Sequence, residues 1–318
     1  MLNNAAMQAI KTVLITGASG LIGTQLSKML IDEGYNVVHL GRKSTRKSVY
    51  PTFFWDVDNG QIDTNAFKNV DAIIHLAGAG VADSRWTEDR KREIINSRVN
   101  SGRLLYETLK NTSNQVKTFV SASAVGYYGN RYQEVLTETA QPTNEFLSRT
   151  TQNWEDASAQ MAELGIRTVI LRIGIVLSEK GGALPQTALP LKLRVGAYFG
   201  SGKQYYSWIH ITDICRIFMH ALQTPNMSGI YNSVAPNPVN NKEFVRNIAV
   251  AMGKPAVFVP APAFVLQLAM GEMSHIVLDS AYVSADKLLQ TGFVFKYPQI
   301  ELALKEIYGD VASSDIAM

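Results

Sequence analysis

Residues 11–23, KTVLITGASGLIG, limit the possible folds more than any other part of the chain. The apolar run Val13-Leu14-Ile15 enters a glycine-rich turn. Leu21, Ile22, Leu26, Met29 and Leu30 then recur at helical spacing. Strand, glycine turn and helix in that order form the setting in which a dinucleotide fingerprint works. Gly17 can turn tightly out of the strand, Gly20 lets the backbone approach a pyrophosphate, and Gly23 lets the helix pack closely on the sheet. Ser19, Gly20, Leu21 and Ile22 sit where the helix N-terminus offers N–H groups and positive potential to phosphates.

The rest of the chain has to supply a matching fold. With 318 residues, 46% of them hydrophobic, it can build one large α/β domain, alone or with a smaller partner. The net charge of +3 is small and dispersed apart from Arg42-Lys43 with Arg46-Lys47 and Arg90-Lys91-Arg92. That argues against nucleic acid or a membrane surface as partner and leaves a small molecule as the expected one. Cys215 is the single cysteine, so an intramolecular disulfide and thiolate-rich metal sites are excluded. It lies in the apolar stretch ICRIFMHAL and reads as an inert core thiol. No apolar run approaches the ~18 residues of a membrane span, and the first ten residues lack a secretory pattern, so a cytoplasmic location is expected. The histidines show no i, i+4 pair of the metal-binding kind, and no metal is expected.

After the first helix, Tyr35 to Leu40 reads as a second strand ending in Gly41-Arg42-Lys43. An acidic residue there would accept the ribose hydroxyls of NAD, whereas arginine suits a 2′-phosphate. Arg42 with Lys43 beside it therefore points to NADP. Phe53-Phe54-Trp55 suggests a short third strand, and Asp56 at its end either meets the adenine amino group or closes a turn. Asp71 to Leu76 is a buried strand running into Ala77-Gly78. Small side chains there let a ligand reach the backbone, so Leu76, Ala77 and Gly78 join the candidate cofactor set. His75 within that strand reads as a core histidine sooner than a ligand.

Amphipathic helical spacing over 85–110, a strand at Lys117–Val120, a helix over 144–164 stopped by Gly165 and a strand at Ile166–Arg172 continue the alternation. The prediction is an α/β fold: a Rossmann-type doubly wound parallel sheet with right-handed crossovers. From Gly174 the texture changes, and a smaller mixed α/β substrate lobe is expected on the C-terminal side. The expected division is 1–175 for the cofactor domain, with 206–232 returning to it, and 176–205 and 233–318 for the lobe. A ligand belongs in the crevice beyond the strand C-termini.

TGASGLIG, HLAG and WIHITD together resemble the extended (atypical) short-chain dehydrogenase/reductase superfamily. RWTEDRKREIINSRVNS (85–101), SASAVGYYG (121–129), LRIGIVLSEKGGAL (171–184) and YSWIHITDI (206–214) narrow this to an epimerase-like subgroup that includes human family member 39U. The ending, DSAYVSADKLLQTGFVFKYP, is similar to that subgroup's C-terminal domain. The resemblance implies an extended Rossmann fold and NADP(H) binding. Its label, nucleoside-diphosphate-sugar epimerase, implies a small polar ligand, a nucleotide sugar among the candidates.

That superfamily uses a serine or threonine with a YxxxK pair on the following helix. The tyrosine exchanges the substrate proton, and a lysine one turn away lowers its pKa. Ser123 matches the serine. With Glu155 registered against the acid that often follows the motif, Leu147 stands at the tyrosine place and Thr151 at the lysine place. Neither can do the job. Tyr106 and Lys110 do spell YxxxK, but on the helix before the fifth strand. The substitutes nearest Ser123 are Tyr127 and Tyr128, between Gly126 and Gly129, as proton donor or as aromatic packing. Arg98, where relatives carry an asparagine, could touch a phosphate or pair with an acid. Glu138 could be an acid/base or a cap, and His210 and Asp213 are supporting residues. An NADP(H)-dependent epimerase/oxidoreductase-like protein is expected. The alternative is a catalytically silent NADP(H)-binding regulatory or scaffold protein, as the cell-division associations of some relatives suggest.

Overall fold

Alternating strand residues sort to the two faces of one sheet in the computed structural model, which describes residues 10–45 and 49–309. Arg46 and Lys47 lie outside the described residues. The sheet comprises β1 (Thr12–Thr16), β2 (Asn36–Gly41), β3 (Thr52–Asp56), β4 (Gln61–Ile62), β5 (Ala72–His75), β6 (Thr118–Ala124), β7 (Arg167–Ile173) and β8 (Gly229–Ser233). Their order across the sheet is β8-β7-β6-β5-β1-β2-β3-β4. All neighbours are parallel except the β3–β4 pair.

The order reverses direction at β1, as a doubly wound sheet requires. Val13, Ile15, Ile74 and Val120 bury on the face covered by α1 (Leu21–Asp32). Leu14, Ile73 and Phe119 bury on the other, against Leu105 and Leu109 of α2 (Glu88–Asn111). This is the period of two expected of strands buried on both sides. The predicted helix over 144–164 is α3 (Phe146–Ala159) plus a tighter 3₁₀ turn at Gln160–Leu164, and Gly165 ends it at φ +73°. It packs against α2.

Beyond β7 the chain builds a second layer. Here stand α4 (Ala183–Leu191), α5 (Ile211–Gln223), α6 (Asn241–Ala251), α7 (Ala263–Met270), the single turn α8 (His275–Leu278), α9 (Asp286–Leu289) and α10 (Ile300–Tyr308). α5 returns to pack on α1, burying Cys215, Ile217 and Phe218. α4, α6 and α10 share a separate core around Trp208, Phe244 and Leu304. Small two-stranded pairings link the layers: Trp208–His210 with Ile175–Leu177, and Tyr282–Val283 with Val135–Leu136. No helix among the described residues is long and apolar enough to cross a membrane.

Candidate active site

Two cavities open beyond the C-terminal ends of the parallel strands. The first, about 490 Å³, is bounded by Ser19, Gly20, Leu21, Gln25, Lys180 and His210. Its floor is the glycine turn. Gly17 has φ +67°, and a Cβ there would stand 2.7 Å from the backbone carbon of Leu76. A Cβ on Gly23 would meet Gly17 O at 2.5 Å and Ala18 Cα at 2.6 Å. Gly23 is thus small to admit the turn itself, more than to bring the helix onto the sheet. No side chain caps α1, and its first turn holds no acid. Uncapped N–H groups and the helix dipole fit an anionic group there. The loop Ser178–Gly182 folds over this end of α1, where a Cβ on Gly181 or Gly182 would stand 3.7 Å from Leu21. Lys180 on that loop was not singled out from the sequence, although the SEKGG string contains it.

A hydrogen-bond relay holds the turn against β5. Thr16 Oγ1 accepts from the N–H groups of Leu76 (3.1 Å) and Ala77 (3.2 Å), so its own proton goes to His75 Nδ1 at 2.8 Å. Nδ1 is therefore the acceptor, and Nε2–H donates to Ser101 Oγ at 3.2 Å. Burial pushes the pKa of His75 down to about 3, so it is a neutral core histidine. Arg98 lies beside Gly78 and 5.0 Å over the Trp154 ring, with Nη1 donating to Ile94 O. Burial, with Arg90 nearby, lowers its pKa to about 10. Arg42 and Lys43 are exposed just past β2. Asp56 accepts from the N–H of Asp58 and from both the backbone and side chain of Asn59, closing the β3–β4 turn. Of its two expected roles, the turn is the one seen.

The second cavity, about 260 Å³, lies where β6 and β7 end. Val125, Gly126, Phe146, Leu147 and Ile173 form its inner wall, and Tyr205, Glu272, His275 and Asp279 close it from the C-terminal layer. Leu147, at the tyrosine place, does face this space. Thr151, at the lysine place, spends its hydroxyl on Leu147 O at 2.7 Å.

Ser123, Tyr127 and Tyr128, the residues expected to handle the proton, lie together at the end of β6. Ser123 is 2% exposed and donates to Glu155 Oε1 at 2.5 Å. Glu155 is clasped by Arg172, Nε to Oε1 at 2.8 Å and Nη2 to Oε2 at 2.7 Å. Arg172 Nη1 donates to the Tyr128 hydroxyl at 3.0 Å, which donates onward to Asn232 Oδ1 at 2.6 Å. Tyr128 is fully buried, and that burial, partly offset by Arg172 and Asn232, pushes its pKa up to about 12. Tyr127 lies with its ring 3.3 Å from the Arg172 guanidinium carbon. None of the three is among the cavity walls. They form a strut that ties β6, α3 and β7 to Asn232 of β8, whose amide reaches Leu136 O and Ser284 O. Glu138 belongs to the same strut, accepting from Asn232 N at 2.8 Å.

His275 and Asp279 carried no sequence signal beyond an i, i+4 spacing. His275 Nδ1 lies 2.9 Å from Asp279 Oδ1. A carboxylate only accepts, so Nδ1 carries a proton and Nε2 is the ring atom left for a ligand. Burial works against the imidazolium, but the bond and charge of Asp279, with Glu145 and Glu272 behind it, hold the His275 pKa above its ordinary value. Partial burial raises Asp279, the bond to His275 opposes that, and Glu145 adds to it. The pair can hold and exchange a proton.

The remaining candidates are structural. Tyr106 donates to Glu163 on the outer surface of α2, with Lys110 over its ring. His210 caps α5 through Thr212 N and meets Glu306 at 2.9 Å. Buried Asp213 accepts from Lys296 N and Tyr297 N, and so anchors the C-terminal segment. Cys215 is buried, which pushes its pKa up to about 12.

Comparison with known proteins agrees with this fold. Residues 13–233 match the NAD dependent epimerase/dehydratase family, and residues 261–307 match a domain of unknown function, DUF1731. The chain is 36% identical over 301 residues to epimerase family protein SSP1921 of Staphylococcus saprophyticus, covering 94% of this chain and 99% of the relative. It is 34% identical over 300 residues to epimerase family protein YfhF of Bacillus subtilis, covering 94% and 98%. The crystal structure of human epimerase family protein SDR39U1 with NADPH superposes with a TM-score of 0.84 at 31% identity, over 93% of this chain and 99% of that one. The chain therefore belongs to the NAD dependent epimerase/dehydratase family.

Proposed function

We propose that the protein is an NADP(H)-dependent oxidoreductase or epimerase-like enzyme acting on a small ligand, with His275 as the proton-exchange group. The observation that carries this reading is the second cavity. Its wall has Leu147 where the superfamily's tyrosine would stand, and across it lies a histidine held by a carboxylate. NADP(H), when bound, supplies and accepts hydride; the chain's residues do the rest. The uncapped N-terminus of α1 and Lys180 take the pyrophosphate, and Leu76, Ala77 and Gly78 line the approach along β5. Arg42 and Lys43 take the 2′-phosphate. This favours NADP over NAD, because no carboxylate competes at the end of β2. His275 Nε2 takes the proton of a substrate hydroxyl, or returns it to a carbonyl oxygen, while Asp279 fixes the ring.

A nucleotide sugar is the substrate class that the resemblance suggests. The second reading, a binding protein that has lost the reaction, draws on Leu147 and Thr151. One experiment separates them: calorimetric titration with NADPH and NADH, followed by NADPH oxidation against a panel of ketones, aldehydes and nucleotide sugars. Tighter binding of NADPH with turnover of a panel member is expected. Tight binding with no turnover across the panel supports the binding-only reading, and stronger binding of NADH removes the NADP assignment.

A further inference from the structure

The cleft differs sharply from a site built for phosphates. Trp86, Phe146, Leu147, Ile173 and Ile276 give it apolar walls. Its ionisable residues are Glu145, Glu272, His275 and Asp279, with Tyr205 and Tyr206 beside them. Among the described residues no lysine or arginine lines it. Two nearby cations, Lys91 and Arg131, are committed elsewhere. Lys91 is paired with Glu272 at 2.5 Å and with Glu88 at 3.4 Å. Arg131 is spent on Glu134 and on Gln141 O. Arg85 is exposed, with its guanidinium where a side chain on Gly271 would stand, and is not a wall residue.

A nucleoside diphosphate brings at least two negative charges. Sites that take them supply arginine, lysine or free helix N-termini. The longest helix that begins at this cleft is α3, and Glu145 already stands at its cap as a negative charge. A diphosphate would therefore meet Glu145 and Asp279 with no lysine or arginine among the walls and only His275, itself paired with Asp279, to offset them, in a partly desolvated space where like-charge contact is costly. The volume of about 260 Å³ also falls just below the ~300–1,000 Å³ usual for drug-sized ligands.

We infer that the cleft takes a phosphate-free, largely apolar alcohol or ketone, its oxygen at His275 and its carbon frame against Leu147 and Ile276, and not a nucleotide sugar. This rests on reading the second cavity as the substrate side. In the oxidation direction the substrate O–H bond breaks, its proton passes to His275 Nε2 and its electron pair forms the C=O bond. The adjacent carbon gives up hydride to NADP⁺, the oxidant.

The test is calorimetry on the full chain saturated with NADP⁺, which has no hydride to give a ketone, using benzylacetone and UDP-glucose as probes. Benzylacetone should bind saturably and at least about tenfold tighter than UDP-glucose, and Leu147→Asp should weaken it by at least about tenfold. Ile276→Asp, on a separate element, serves as the second variant should the first fail to fold. UDP-glucose binding the tighter, benzylacetone failing to saturate, or benzylacetone binding unchanged in both variants would overturn the assignment. A failure of NADP⁺ to bind would remove the cofactor reading alone, since the two probes can still be compared on the cofactor-free protein.

Discussion

The two cavities at the end of the sheet differ in their walls: the first has the glycine turn and a lysine, the second mostly apolar side chains. The first is walled by Ser19 to Gln25, Ser178 to Lys180, His210 to Thr212 and Glu306, and it sets the uncapped N-terminus of α1 and Lys180 beside the carboxylates of Glu179 and Glu306. The cleft comes from segments far apart in sequence, around residues 86, 125, 146, 173, 205 and 275, and presents apolar carbon, carboxylates and one histidine. The first is stereotyped because a pyrophosphate makes the same demand wherever it binds. The second is free to change, and here the serine of β6 has been drawn into a buried ion-pair strut. On the proposed reading, the difference teaches that cofactor recognition and reaction chemistry are separable in this fold.

Breaking the strut should give the largest effect. In Arg172→Met, Glu155 keeps a buried charge with only Ser123 to answer it, and stability should fall by about 3–5 kcal/mol. Denaturant melts would show this, and adding Glu155→Gln should restore part of the loss. On the cofactor side, Gly17→Ala forces a left-handed residue into the backbone of Leu76, for about 2–4 kcal/mol from strain and overpacking. NADPH titration should show affinity falling with it. An unchanged affinity would mean the turn does not hold the cofactor.

Acidity probes the relay beneath that turn. Burial lowers the folded-state pKa of His75 to about 3 and of His39 to about 4, against 6.5 in the unfolded chain. Between these values the unfolded state binds more protons, so stability is full above pH 6.5 and is lost as pH falls through the window. The slope is about 1.4 kcal/mol per pH unit for each histidine. Melts at pH 7 and pH 5 measure it, and a flat profile contradicts the neutral-core assignment. The smallest effect belongs to the rim: Arg42→Asp should reduce the preference for NADPH over NADH by about 10–100-fold, the worth of one or two charge-assisted bonds.

The fold was largely legible in the sequence because its signals are local. Strand periodicity, the glycine turn and the Gly165 stop each depend on neighbours a few residues away. The roles of Tyr128 and Ser123 were not legible, since nothing near them says that Arg172 and Asn232 will take up the tyrosine hydroxyl and Glu155 the serine hydroxyl. His275 was hidden for the same reason: its meaning depends on α8 meeting a cavity walled by residues more than a hundred positions earlier. The departure at Leu147 and Thr151 was visible from the sequence; what replaces the lost pair needed the structure.

The central claim is that proton exchange has moved from α3 to His275. It is tested most directly by measuring NADPH affinity and NADPH-dependent turnover side by side in His275→Asn and Tyr127→Phe. The account predicts that both variants bind NADPH as the native chain does. Turnover should fall by about 10²–10⁴-fold in His275→Asn and stay near native in Tyr127→Phe. Native turnover in His275→Asn, or its loss in Tyr127→Phe, would contradict the account.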